Sequence, residues 1–163
     1  MNDLKVIFLD IDGVLNCDYW YETSKSLIPH PYNHFSPDLV DNLNRITKAT
    51  GAKIVLSSTW RKNRTSEELR QLFVEVGIEG ELIDKTIELR FYNWTHSVPR
   101  GCEIYHWIDS RVDLNHLWRK FVIIDDDTDM MYWHKENVFT TDPSGGGLTA
   151  NIAYRITNFL NGF

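Results

Sequence analysis

Three features of the sequence predict an α/β fold built on a mostly parallel sheet. Strand-length apolar runs recur along the chain, amphipathic helical stretches separate them, and the runs end in polar or acidic residues. Fully apolar strands are the kind buried on both faces by flanking helices.

The first run, "KVIFLD" (5–10), reads as a buried strand. "SPDLVDNLNRITKATG" follows as a helix, with Ser36 at the N-cap, Pro37 in the first turn and Gly51 closing the end. Its Leu39, Leu43 and Ile46 share one face. "AKIVLSS" (52–58) is the second strand, and "TSEELRQLFVEVG" the next helix. Thr65 and Glu68 stand in capping-box spacing there, and Leu69, Leu72, Phe73 and Val76 form the apolar stripe. Residues 78–99 show no clear period. "GCEIYHWIDSR" is helical, with Ile104, Trp107 and Ile108 facing the core. "KFVIID" (120–125) is a third strand and "NVFTTD" a short fourth. "LTANIAYRITNFL" is the last helix, capped by Thr149 and burying Ile152, Ile156, Phe159 and Leu160.

At 163 residues the chain is expected to form one domain spanning 1–163. A net charge of −6 argues against strong general nucleic-acid binding, which depends on neutralising phosphates. It leaves room for an enzyme that grips one phosphate with a few local cations. Cys17 and Cys102 stand far apart in no metal-ligand spacing, which suits a reduced, cytoplasmic protein. No apolar run approaches the roughly 20 residues that cross a bilayer, so no membrane association is expected.

Ligands of such folds sit at the carboxyl ends of the strands. There the chain places Asp10-Ile11-Asp12, then Ser57-Ser58-Thr59 followed by Trp60 and Arg61, then Asp125-Asp126-Asp127 with Asp129 nearby. Gathered on one rim, so many carboxylates repel one another unless a cation joins them. Mg²⁺ is the natural partner for carboxylates and phosphate together. Asp10 could then attack phosphorus as a nucleophile. Asp12 could move the proton as general acid and base. Ser57 could hydrogen-bond the phosphoryl group, while Arg100, at the head of a helix, could balance its charge.

The stretches "FLDIDGVLN", "IVLSSTWR", "RGCEIYHWI" and "FVIIDDD" fall in the order of the four motifs of the haloacid dehalogenase (HAD) superfamily. Over residues 6–129 the chain resembles that superfamily, and more narrowly the small HAD domains associated with bacterial and phage RNA-repair proteins. The tail "DPSGGGLT" fits that group as well. The resemblance implies a Rossmann-like three-layer sandwich, Mg²⁺ and phosphatase chemistry through an aspartyl-phosphate. It casts Asp10 as nucleophile and metal ligand, and Asp12 as acid/base with its main-chain carbonyl on the metal. It gives Ser57 the phosphate-binding position and puts Arg100 where the family often carries Lys. Asp126, with Asp125 beside it, completes the metal site.

Other readings stay open at this point. Ser57, Ser58 and Thr59 could cap a turn, though Ser57 and Ser58 also stand where phosphate would be bound. Arg61 could contact phosphate or pair with an acid. His30 and His34 lack a third metal ligand and read as a solvated or substrate-facing loop. Trp20, Trp60 and Trp94 could stack on a base, with packing the default. "SGGG" (144–147) reads as a turn. Residues 17–35 have room only for a loop or small flap, so no large cap domain is expected. An open site admits a nucleotide, a polynucleotide end, a phosphoprotein or a small metabolite. The rival from another class is a regulatory module that keeps the phosphate pocket with little turnover.

Overall fold

A computed structural model describes residues 4–24, 27–90, 98–111 and 120–162. Its centre is a parallel sheet of five strands in the order β3-β2-β1-β4-β5. The strands are β1 (Val6–Leu9), β2 (Lys53–Leu56), β3 (Leu82–Lys85), β4 (Phe121–Asp125) and β5 (Val138–Thr140). The helices are α1 (Asp18–Ser24), α2 (Pro37–Thr50), α3 (Ser66–Glu75), α4 (Arg100–Asp109) and α5 (Ala150–Asn161).

Side-chain alternation along the strands divides the interior in two. Ile7, Leu9, Ile54, Leu56, Val122 and Ile124 face one side, against Leu43 and Ile46 of α2, Leu69 and Phe73 of α3, and Ile156 and Leu160 of α5. Val6, Phe8, Val55, Phe121 and Ile123 face the other, against Ile104 and Trp107 of α4. Phe8 meets the Trp107 ring edge-on at 5.3 Å. The α/β sandwich expected from the alternating pattern is the one observed.

Local signals act as read. Thr65 and Glu68 form a reciprocal capping box at the head of α3, and Thr149 Oγ1 accepts from the Ile152 amide. Gly51 ends α2 in the left-handed region. Ser36 occupies the N-cap of α2 but makes no capping bond through its side chain. Its N–H donates to the Leu15 carbonyl at 2.7 Å, tying α2 to the loop after β1.

Two elements escaped the sequence pattern. β3 lies in the stretch 78–99, which showed no period, because an edge strand reading Leu-Ile-Asp-Lys is only half buried and half charged. α1 lies within 17–35, expected to be loop or flap. Its sequence DYWYETS has no apolar stripe, and of its residues only Ser24 is buried.

Candidate active site

The site is one register row across the sheet. β1 and β2 pair Leu9 with Leu56, β1 and β4 pair Leu9 with Ile124, and β2 and β3 pair Leu56 with Lys85. One position further on stand Thr86, Ser57, Asp10 and Asp125, and Asp125 pairs with Thr140 of β5. Every apolar strand thus ends in a polar residue at the same level. Alternation turns Asp10 and Asp125 towards the face that α4 covers, where Arg100 arrives.

Asp10, Asp125 and Asp126 each bring one carboxylate oxygen within 4.8 Å of the others. Asp10 and Asp125 are buried, while Asp126 is exposed. Burial, reinforced by the Asp10 carboxylate, pushes the Asp125 carboxyl up to about 7. The same two causes raise Asp126. Arg100 Nη1 reaches Asp10 Oδ1 at 3.0 Å and Asp125 Oδ2 at 3.4 Å. Burial alone would lower the Arg100 guanidinium, but Asp10 and Asp125 more than offset it and hold it above its ordinary value. Asp129 fixes the head of α4. Its carboxylate accepts from the Arg100 amide at 2.7 Å and its carbonyl from the Gly101 amide at 3.1 Å.

Gly13 lets the two acidic loops touch. Its φ is +73°, and a Cβ there would stand 2.5 Å from the Asp126 carboxyl carbon. Gly147 packs against the same loop from behind, where a Cβ would lie 2.8 Å from the Val14 and Asn16 carbonyl oxygens. The SGGG turn is therefore a brace for the loop that carries Asp12.

Ser57 is fully buried, and its Oγ has no hydrogen-bond partner among the described residues. Ser58 is equally buried but committed, its Oγ accepting from the Trp60 amide to cap the turn Thr59–Arg61. Of the two readings open for Arg61, the structure shows the acid pair. Nε donates to Thr86 O, Nη1 to Ser57 O and Ser58 O, and Nη2 to Ile87 O and to Glu103. All five guanidinium N–H groups are used within the chain, leaving none for a phosphate. Ser58 and Arg61 thus hold the loop after β2 in shape, with these polar groups engaged inside the chain.

Asp12 has left the strand and its side chain is half exposed. Trp60 Nε1 donates to its Oδ2 at 2.9 Å, Asn16 Nδ2 donates to Oδ1 at 3.2 Å, and His34 Nδ1 lies 3.3 Å from Oδ1. No local pattern marks Trp60 and His34 as partners, since they approach Asp12 only through the tertiary fold. The His30 ring lies against Trp60 and His34. Trp20 is tied by its indole N–H to the Asn33 carbonyl at 3.0 Å. Trp94 lies outside the described residues.

An oxygen-only donor set, crowded acids and a charge-balancing cation form a place where a hard divalent ion fits. No described helix is long and apolar enough to cross a membrane. No curated protein matches the chain significantly. The sequence model of a family described as the HAD domain in Swiss Army Knife RNA repair proteins matches residues 6–152. This span takes in all five strands and both acidic loops, and the chain belongs to that HAD family.

Proposed function

We propose that the chain is a Mg²⁺-dependent phosphomonoesterase acting through an aspartyl-phosphate on Asp10. The observation that carries this reading is the convergence of Asp10, Asp125 and Asp126 beside Arg100 and the unpartnered hydroxyl of Ser57. The residues fit the metal, because the donors are all oxygens and, among the described residues, Asp125 Oδ2 has the Arg100 ion pair at 3.4 Å but no hydrogen bond. Asp10 and Asp126, with Asp125 and the Asp12 carbonyl, would hold Mg²⁺. Bound there, it would supply positive charge to the phosphoryl oxygens and lower the repulsion between phosphate and carboxylates.

The chain's own residues do the rest. An Asp10 oxygen bonds to phosphorus while the ester P–O bond breaks, its electron pair going to the leaving oxygen. Asp12 gives that oxygen its proton, so the leaving group departs as an alcohol. Water then attacks the same phosphorus, its proton returns to Asp12, and the P–O bond to Asp10 breaks to restore the carboxylate. Arg100 balances the charge on the transferring group, and the Ser57 hydroxyl donates to one of its oxygens.

The substrate we propose is a nucleotide or a polynucleotide phosphate end. The family's description as part of RNA repair proteins supports that choice. The small insert over residues 17–35 also supports it, because an open site admits a bulky phosphate ester. Cys17 and Cys102 are both free, which suits a reducing cytoplasm.

The test is inorganic phosphate release from an aryl phosphate, mononucleotides, and 3′- and 5′-phosphorylated RNA and DNA oligonucleotides, with Mg²⁺ and with EDTA. Release that needs Mg²⁺ and disappears in Asp10→Asn supports the reading. Asp12→Asn slows it about 10²–10⁴-fold. Folded protein that releases nothing across the panel overturns the reading in favour of a phosphate-binding module.

A further inference from the structure

The carboxylate of Asp12 is gripped from three directions by groups that the reaction does not consume. Trp60 Nε1 holds Oδ2 at 2.9 Å, while Asn16 Nδ2 and His34 Nδ1 stand at 3.2 and 3.3 Å from Oδ1. A half-exposed aspartate on a loop ordinarily samples several rotamers. Contacts on both oxygens fix its plane as well as its place.

The gripping groups are themselves packed and hydrogen-bonded. Trp60 is 7% exposed. The Arg64 guanidinium lies over its ring at 5.1 Å, and the rings of His34 and Phe35 pack at 5.2 and 5.4 Å. Asn16 Oδ1 accepts from the Gly13 amide at 2.8 Å, and Nδ2 also donates to the His34 carbonyl at 3.2 Å. Trp20 and Ser24 of α1 both donate to the Asn33 carbonyl, next in sequence to His34. Through these bonds the described residues of the insert, 17–24 and 27–35, pack beside Asp12. Trp60 reaches the same carboxylate from the turn after β2.

We propose that Trp60 and His34 are positioning residues for Asp12, and that the insert carrying His34 serves to aim the proton-transfer group. The proposal rests on the reading of Asp12 as acid and base given above. A proton donor matters in proportion to how badly the leaving oxygen needs the proton. When the ester bond breaks, an alkoxide from a sugar must take the Asp12 proton to leave, whereas a nitrophenolate departs readily as the anion. A misaimed Asp12 therefore penalises poor leaving groups selectively. A loosened fold or a distorted phosphate site penalises all leaving groups alike. Misplacement of a reacting group by about 1 Å costs on the order of 10²-fold, which sets the scale.

The experiment compares kcat/KM for para-nitrophenyl phosphate, phenyl phosphate and a nucleoside monophosphate, because kcat/KM spans the steps through departure of the leaving group. The variants are Trp60→Phe, which keeps the ring and loses the N–H, His34→Leu, and His34→Gln, whose amide can still donate. Thermal melts report folding. In Trp60→Phe and His34→Leu the ratio of poor to good leaving group falls about 10–100-fold, and His34→Gln recovers part of it. Equal losses on all three esters, or no loss, overturn the positioning role while leaving the phosphatase reading intact. If Trp60→Phe does not fold, the His34 pair decides alone. Failure of the unmodified protein to turn over any ester overturns the phosphatase reading, and the proposal with it.

Discussion

Two buried, charged regions sit side by side at the carboxyl end of the sheet, and they are finished in opposite ways. Around Arg61 every donor has its acceptor. The guanidinium joins the carbonyls after β2 and β3 to Glu103 of α4, and the other Glu103 oxygen accepts from the Leu89 amide at 3.1 Å. Around Asp10 the accounts stay open: carboxylates crowd one another, Asp125 is pushed up to about 7, and the Ser57 hydroxyl has no partner among the described residues. A satisfied buried ion pair holds a shape, whereas buried polar groups left unsatisfied are ready for something that arrives later. The two regions touch at Ser57, whose carbonyl serves the first and whose hydroxyl is left for the second.

The comparison breaks most severely at Arg61. In Arg61→Ala the Glu103 carboxylate stays buried without its cation, and urea unfolding should show a loss of about 3–5 kcal/mol. A loss below about 1 kcal/mol would mean that the knot holds nothing. Ser57→Ala is the mirror image. It removes no existing hydrogen bond and relieves a buried unsatisfied hydroxyl, so stability should hold or rise by up to about 1–3 kcal/mol, while kcat falls about 10²–10³-fold. A large stability loss with intact turnover would exchange the two regions' roles.

The smallest effect is in pH. A folded-state value near 7 for Asp125 lies above its ordinary 3.8. Between those values the folded chain keeps a proton that the unfolded chain has released, so metal-free stability falls as pH rises through that window. Mg²⁺ should reverse the trend, raising the melting temperature more at pH 8 than at pH 5. In Asp125→Asn both the pH slope and its reversal should shrink. An unchanged slope would remove Asp125 as its source.

Much of this was legible in the chain because strong local signals agreed with one another. Val6–Leu9 and Phe121–Asp125 are apolar enough to be central strands, and the acids closing them had no other evident use. β3 was not legible, since Asp84 and Lys85 hide an edge strand's period. Arg61 could be narrowed to two roles but not assigned, because its carbonyl partners at Thr86 and Ile87 and its acid at Glu103 come from distant parts of the sequence. The grip on Asp12 was invisible for the same reason. Trp60 and Asp12 are 48 residues apart, and nothing in either's neighbourhood announces the other.

The register row has a consequence for anyone preparing this protein. Asp10, Ser57 and Asp125 share one level only if three strands from separate parts of the chain pair without slipping. A shift of one residue in any strand turns its polar end to the opposite face of the sheet. A misassembled molecule could keep its helices and its far-ultraviolet spectrum and still be catalytically silent. Specific activity per folded chain would then grade refolded or recombinant material by strand register, a defect that bulk spectroscopy passes over.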